Sequence, residues 1–208
     1  MQDQYVINFC KDCLEVLRKQ DEEIRNNLVN SQYALFYKYD NKGINVYSIT
    51  EPILKFYIFS SLCSKYQIWP EGNAFYKDKQ LLDLALFSTK IENIDEEIEP
   101  DIAIEMKWAD FTQEGRFYQW SIDNSVEDLY KLKKDCTVEN KYLMQFGRCD
   151  INVEWNPDEL LEQLMDNFDK RKIRGKQIRY IFGDSFNTYN DDINAEQRKF
   201  NILLWKIE

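Results

Sequence analysis

Three side chains in "DIAIEMKW" (residues 101–108), Asp101, Glu105 and Lys107, place charge in a stretch that otherwise reads as a buried apolar strand. A fourth, Asp83, is the lone charge in "LLDLALF" (81–87). Buried charges are tolerated when they pair with each other or hold a metal. Asp101 and Glu105 share a strand face, but four residues of extended chain set their Cα atoms about 13 Å apart. Magnesium ligands lie at about 2.0–2.1 Å, so this pair cannot grip one ion. Asp83 is the better partner. If 80–88 and 100–108 form an antiparallel hairpin turning near Asn93-Ile94-Asp95, paired residues sum to about 188. Asp83 then faces Glu105, with Cβ atoms about 4.5–5.5 Å apart. Lys107 follows on the same face.

That register is expected to be fixed by burial. It turns Leu82, Leu84, Leu86, Ile102, Ile104 and Met106 to one apolar face, and a one-residue slip would expose all of them. Two facing carboxylates repel, and one would have to stay protonated. A divalent cation removes the conflict, and oxygen donors suit magnesium. The competing reading makes Glu105 and Lys107 a surface ion pair on an edge strand, with Asp83 exposed at a sheet margin.

The elements that must position these residues follow from periodicity. Apolar Val6, Phe9, Cys10, Cys13, Leu14 and Leu17 predict a helix over 2–30. "QYALFYKYD" and "GINVYSI" predict a strand pair turning at Asp40-Asn41-Lys42-Gly43. Thr50 and Pro52 open a helix that is apolar nearly all round. "QIWPEGNAFY", "KQLLDLALFS" and "DIAIEMKW" are three successive strands. "SVEDLYKLKKD" predicts a helix capped by Ser125, and "KYLMQFGR" a strand. A helix beginning at Pro157 and strands at "QIRYIFGDSFNTY" and "FNILLWKIE" complete the chain. The expected fold is α/β: a mixed central β-sheet flanked by α-helices. One domain spans 1–208, with an N-terminal helix and hairpin (1–49), a core (50–146) and a C-terminal helix and strands (147–208).

Composition limits the chemistry. The chain has 208 residues, 44% hydrophobic and 15% aromatic, enough for one substantial core. It contains no histidine, which excludes Ser-His and Cys-His nucleophile systems. Its five cysteines are odd in number and scattered, and suit reduced core thiols. Cys10-x-x-Cys13 lacks the second pair a zinc site needs. No apolar run is long enough to span a bilayer and the start lacks a signal pattern, so a cytoplasmic chain without membrane contact is expected. The net charge of −10 works against nucleic-acid binding, which depends on Lys and Arg. A local exception is "DKRKIRGKQIR" (169–179), with six basic residues.

Asp83 together with "IEMK" (104–107), preceded by a helix and followed by a helix and strand, resembles the PD-(D/E)xK, or restriction-endonuclease-like, nuclease superfamily. The likeness runs over about residues 50 to 146. It implies a restriction-endonuclease-like core and a nuclease hydrolysing phosphodiester bonds in nucleic acid, DNA first, by direct water attack. Asp83, Glu105 and the backbone carbonyl of Met106 would hold Mg²⁺ or Mn²⁺, and Lys107 would orient or activate the water. Glu71 on the preceding strand and Glu51 at the start of the preceding helix could complete the site. The Pro-Asp pair that names the family falls at Pro100-Asp101, which the distance argument sets aside. Nucleases that cut both strands often work as pairs, so a homodimer or a protein partner is also expected. The alternatives are a catalytically inactive interaction module of the same fold, or a small acidic immunity or inhibitor protein whose "ENIDEEIEPD" (92–101) mimics nucleic acid.

Overall fold

In a computed structural model the chain is described over residues 2–27, 38–41, 44–47, 51–72, 82–88, 100–169, 178–188 and 198–208. Helix α1 (Gln2–Asn27) is followed by the short strands β1 (Lys38–Asn41) and β2 (Ile44–Tyr47), which pair antiparallel as a separate two-stranded sheet. Next come α2 (Glu51–Leu62), β3 (Gln67–Gly72), β4 (Leu82–Phe87), β5 (Ile102–Trp108), α3 (Gln119–Lys134) and β6 (Asn140–Asp150). Helix α4 (Pro157–Asp169), β7 (Ile178–Thr188) and β8 (Arg198–Ile207) close the chain. The six longer strands form one mixed sheet in the order β3-β4-β5-β6-β8-β7. Among the described strands of this sheet only β5 and β6 run parallel, as a crossover through α3 requires.

Alternation sorts the side chains into a core on each face of the sheet. On one, Leu84, Leu86, Ile102, Ile104 and Met106 pack with α1 and with Leu54, Ile58 and Leu62 of α2. On the other, Ala85, Ala103 and Leu143 pack against Ile122, Val126, Leu129 and Leu132 of α3 and Leu160 and Leu164 of α4. With both faces covered, β5 is central and wholly buried from Ile102 to Met106. Truncating Ile104 to Ala there would cost about 2–5 kcal/mol. Cys10 and Cys13 both lie in the first core, where burial pushes their thiols up.

Three expectations change. Leu82 belongs to the α3-side core, not to the face of Leu84 and Leu86, because strand alternation breaks at Asp83. Ser125 does not cap α3: the helix starts six residues earlier, at Gln119, and Ser125 is buried within it, accepting a hydrogen bond from Gln145 Nε2 (2.7 Å). Burial of Glu105 in a central strand also removes the edge-strand ion-pair reading. The turn at 93–95, the acidic run up to residue 99, and the basic cluster except Asp169, Ile178 and Arg179 lie outside the described residues.

Candidate functional site

The β4–β5 pair has the register Leu84↔Ile104, Ala85↔Ala103, Leu86↔Ile102, in which every pair sums to 188. Carried one residue further, it would set Asp83 opposite Glu105. The regular ladder stops just there, and the reason is the Asp83 side chain. Its Oδ2 accepts the backbone N–H of Met106 at 2.7 Å, so the carboxylate fills the slot a β4 carbonyl would take in an unbroken ladder. Asp83 thus leans into the gap between the two strands, and Leu82 before it is turned to the α3 side.

The other Asp83 oxygen is engaged from α2. Lys55 Nζ donates to Oδ1 at 2.5 Å and is 2.9 Å from Glu51 Oε1, one helical turn earlier. Glu51 Oε2 in turn accepts the backbone N–H of Trp108 at 3.4 Å. Glu51 therefore ties the first turn of α2 to the end of β5. On the α3 side, Lys107 Nζ is 2.8 Å from Asp128 Oδ2, while Lys131 lies 3.1 Å from Asp128 Oδ1. Burial works to lower the pKa of both Lys55 and Lys107, and the carboxylates outweigh it. Lys55 is raised by Asp83 and then Glu51. Lys107 is raised by Asp128, then Glu51 and Asp83. Both amines are firmly charged at neutral pH.

The structure thus brings Glu51, Asp83 and Lys107 into one electrostatic neighbourhood at the edge of the sheet where β5 ends. Glu105 lies one residue before the Met106 N–H that holds Asp83, and is buried. Glu71 is interpolated opposite Asp83 by the pairs Pro70↔Leu84 and Gly72↔Leu82, although its side chain is outside the described residues. Asp101 is elsewhere: at the far end of β5, its Oδ2 accepts from the Ser88 N–H (2.7 Å) and Oγ (2.6 Å).

Sequence reasoning missed Lys55 and Asp128. Lys55 had a signal, the Glu51/Lys55 spacing of one helical turn, but such pairs are common on helix surfaces. Asp128 had none, because its partner comes from a strand twenty-one residues earlier.

The expected ligands, Asp83, Glu105 and the Met106 carbonyl, are all oxygen donors, the kind magnesium takes. That ion commonly binds through one or two carboxylates and keeps several waters. Among the described residues there is no group of three or more acidic, Cys or His side chains placed to cage a metal. The donor set is all oxygen, which disfavours zinc. In the ion pairs that link the cluster, Glu51, Asp83 and Asp128 are matched by Lys55, Lys107 and Lys131. No helix among the described residues is long and apolar enough to cross a membrane. No family model, curated protein or solved structure gives a significant match to this chain.

Proposed function

We propose that the chain is a metal-dependent nuclease that hydrolyses phosphodiester bonds by direct attack of water, with its site at Asp83, Glu105 and Lys107. The observation that supports this reading is the β4–β5 register of 188 over Leu84–Leu86, whose continuation would set Asp83 opposite Glu105, together with the charge of Asp83 acting on Lys107. The run α2-β3-β4-β5-α3-β6 supports it, since it matches the order of elements expected for a restriction-endonuclease-like core over 50–146.

Magnesium or manganese, when bound, would neutralise phosphate charge and lower the pKa of a water. The protein's own residues have defined tasks. Asp83 is locked in one rotamer by Met106 N–H and Lys55, which fixes where its oxygens can receive a cation. Lys107, kept protonated by Asp128, Glu51 and Asp83, cannot act as a general base at neutral pH. It instead positions the water and offsets the charge that develops on the phosphate. Glu51 holds the α2 terminus against β5 and adds negative potential.

Cleavage of single- and double-stranded DNA and RNA with and without Mg²⁺ tests this. Wild type should cut only with the metal, and Asp83→Asn and Lys107→Ala should fall to background. Metal-independent cutting, or full activity in Asp83→Asn, overturns the reading.

One observation favours a second reading, an inactive interaction module. Each carboxylate whose partners are described already has an amine, and Ile53, Phe56 and Trp69 are exposed on α2 and the edge strand β3. Absence of any Mg²⁺-induced rise in melting temperature would select it. The inhibitor reading rests on a run that falls almost entirely outside the described residues.

A further inference from the structure

Asp83 and Glu51 reach Lys55 from different elements, β4 and α2, yet are held in the same way. Each spends one carboxylate oxygen on a backbone N–H of β5: Asp83 Oδ2 accepts from Met106 and Glu51 Oε2 from Trp108. Each turns its other oxygen to one amine, with Lys55 Nζ 2.5 Å from Asp83 Oδ1 and 2.9 Å from Glu51 Oε1. Two carboxylates anchored to the same strand therefore meet at a single positive charge. A cation already stands at the Asp83 oxygen that the backbone leaves open, and it is the protein's own.

Lys55 is suited to leave that oxygen. An ammonium is a compact charge on a flexible four-carbon stem, so it can swing off one acceptor while its helix stays in place. The Lys55 side chain is 20% exposed, so its head is not sealed in the core. Glu51 lies four residues earlier on α2, the spacing and order in which a glutamate and a lysine pair best on a helix. A lysine that gives up Asp83 therefore keeps a partner, and no unpaired charge is stranded. Lys107 is placed differently, because its direct acceptor, Asp128, is outside the expected ligand set.

From this geometry we propose that Lys55 is a tethered placeholder for the metal. It occupies Asp83 Oδ1 while the metal is absent, and yields that oxygen to a divalent cation by withdrawing onto Glu51. The double charge of the ion favours the exchange at Asp83. The tether opposes it, because the amine is always at hand to compete. Without metal, the same contact neutralises two acids that would otherwise face each other, and joins α2 to β4. The lysine thus keeps the empty site stable and raises the metal concentration at which it fills. This deepens the nuclease reading and rests on it for the presence of a metal at Asp83.

Isothermal titration of Mn²⁺ into wild type, Lys55→Met and Lys55→Arg tests the proposal, with circular dichroism reporting the fold. Lys55→Met should bind Mn²⁺ at least fivefold more tightly than wild type, and Lys55→Arg no more tightly. The gain should vanish in Lys55→Met/Asp83→Asn. A lysine that only braces the fold would give unchanged or weaker binding in Lys55→Met, and either result overturns the proposal. So does a lack of saturable binding in wild type and Lys55→Met alike. If Lys55→Met does not fold, the wild-type protein decides. The side-chain ammonium resonance of Lys55, assigned as the one missing from Lys55→Arg, should move on saturation with Mg²⁺, and a resonance that stays in place overturns the proposal. Tighter Mn²⁺ binding by Lys55→Met without metal-dependent cleavage by wild type would defeat only the nuclease reading. Asp83-dependent cleavage with equal Mn²⁺ affinity in wild type and Lys55→Met would defeat only the placeholder.

Discussion

Two charged clusters sit at opposite edges of the same sheet, and they are built differently. At the edge where β6 begins, Asp3 of α1 accepts from Tyr142 Oη (2.6 Å), Lys206 Nζ (2.8 Å) and an Arg179 nitrogen (2.9 Å). Burial would raise its pKa, but hydrogen bonds from Lys206, Tyr142 and Arg179 outweigh that and hold it below the usual carboxylate range. One acid is over-supplied with donors. It pins α1 to three strands and leaves little for a cation to gain. At the edge where β5 ends, two acids divide one amine: Asp83 shares Lys55 with Glu51. If the proposed site holds a cation, the ion would have more to gain at two carboxylates that divide one lysine than at an acid already met by three donors.

The largest way to sharpen this contrast is at Asp83 and Glu105. Asp83→Asn and Glu105→Gln should each reduce cleavage by about a hundredfold or more, in line with roughly 3 kcal/mol of lost transition-state stabilisation. Asn can still accept from the Met106 N–H, so the fold should survive, as circular dichroism would report. Lys55→Met separates the two kinds of cluster next. Without metal it should destabilise by about 1–3 kcal/mol, because it leaves Asp83 Oδ1 and Glu51 facing each other. Mg²⁺ should restore more stability to it than to wild type. An identical metal response in both proteins would break the comparison.

Asp3→Asn should cost roughly 1–2 kcal/mol, discounted for its partial exposure, with no change in metal response. Because folding lowers the Asp3 pKa, its contribution is fully present above the ordinary carboxylate value and is lost as pH falls through the folded value. Urea melts of wild type and Asp3→Asn should therefore begin to approach each other below about pH 4 and meet only at the depressed folded value. The smallest effect belongs to Glu51→Gln. It keeps an acceptor for Trp108 N–H and removes one charge, so cleavage should fall only about two- to fivefold.

What could be read in the sequence was whatever a period fixes. Strand alternation through Leu84, Leu86, Ile102 and Ile104 is enough to set the β4–β5 register, because a slip would expose them all. The same logic failed at Leu82, where a side chain competes for a ladder hydrogen bond and alternation stops governing. The start of α3 was hidden for a related reason. Tyr118 at its N-cap gives no side-chain hydrogen bond, so the usual cap signal is missing and Ser125 drew the boundary instead. Lys55 and Asp128 reach the site from helices on opposite faces of the sheet, and their meeting with β4 and β5 depends on packing that no local pattern encodes. The pairing of Asp83 with Lys55 and of Lys107 with Asp128 was therefore invisible until the helices were in place.

The most direct test is the Mg²⁺ dependence of thermal unfolding in wild type beside Asp83→Asn. At a metal concentration about ten times the dissociation constant, linkage supplies about 1.4 kcal/mol, or a rise of roughly 3–6 °C for a chain of this size. The account predicts that rise in wild type and its loss in Asp83→Asn. A wild-type melting temperature indifferent to Mg²⁺, or an equal rise in both proteins, would contradict it.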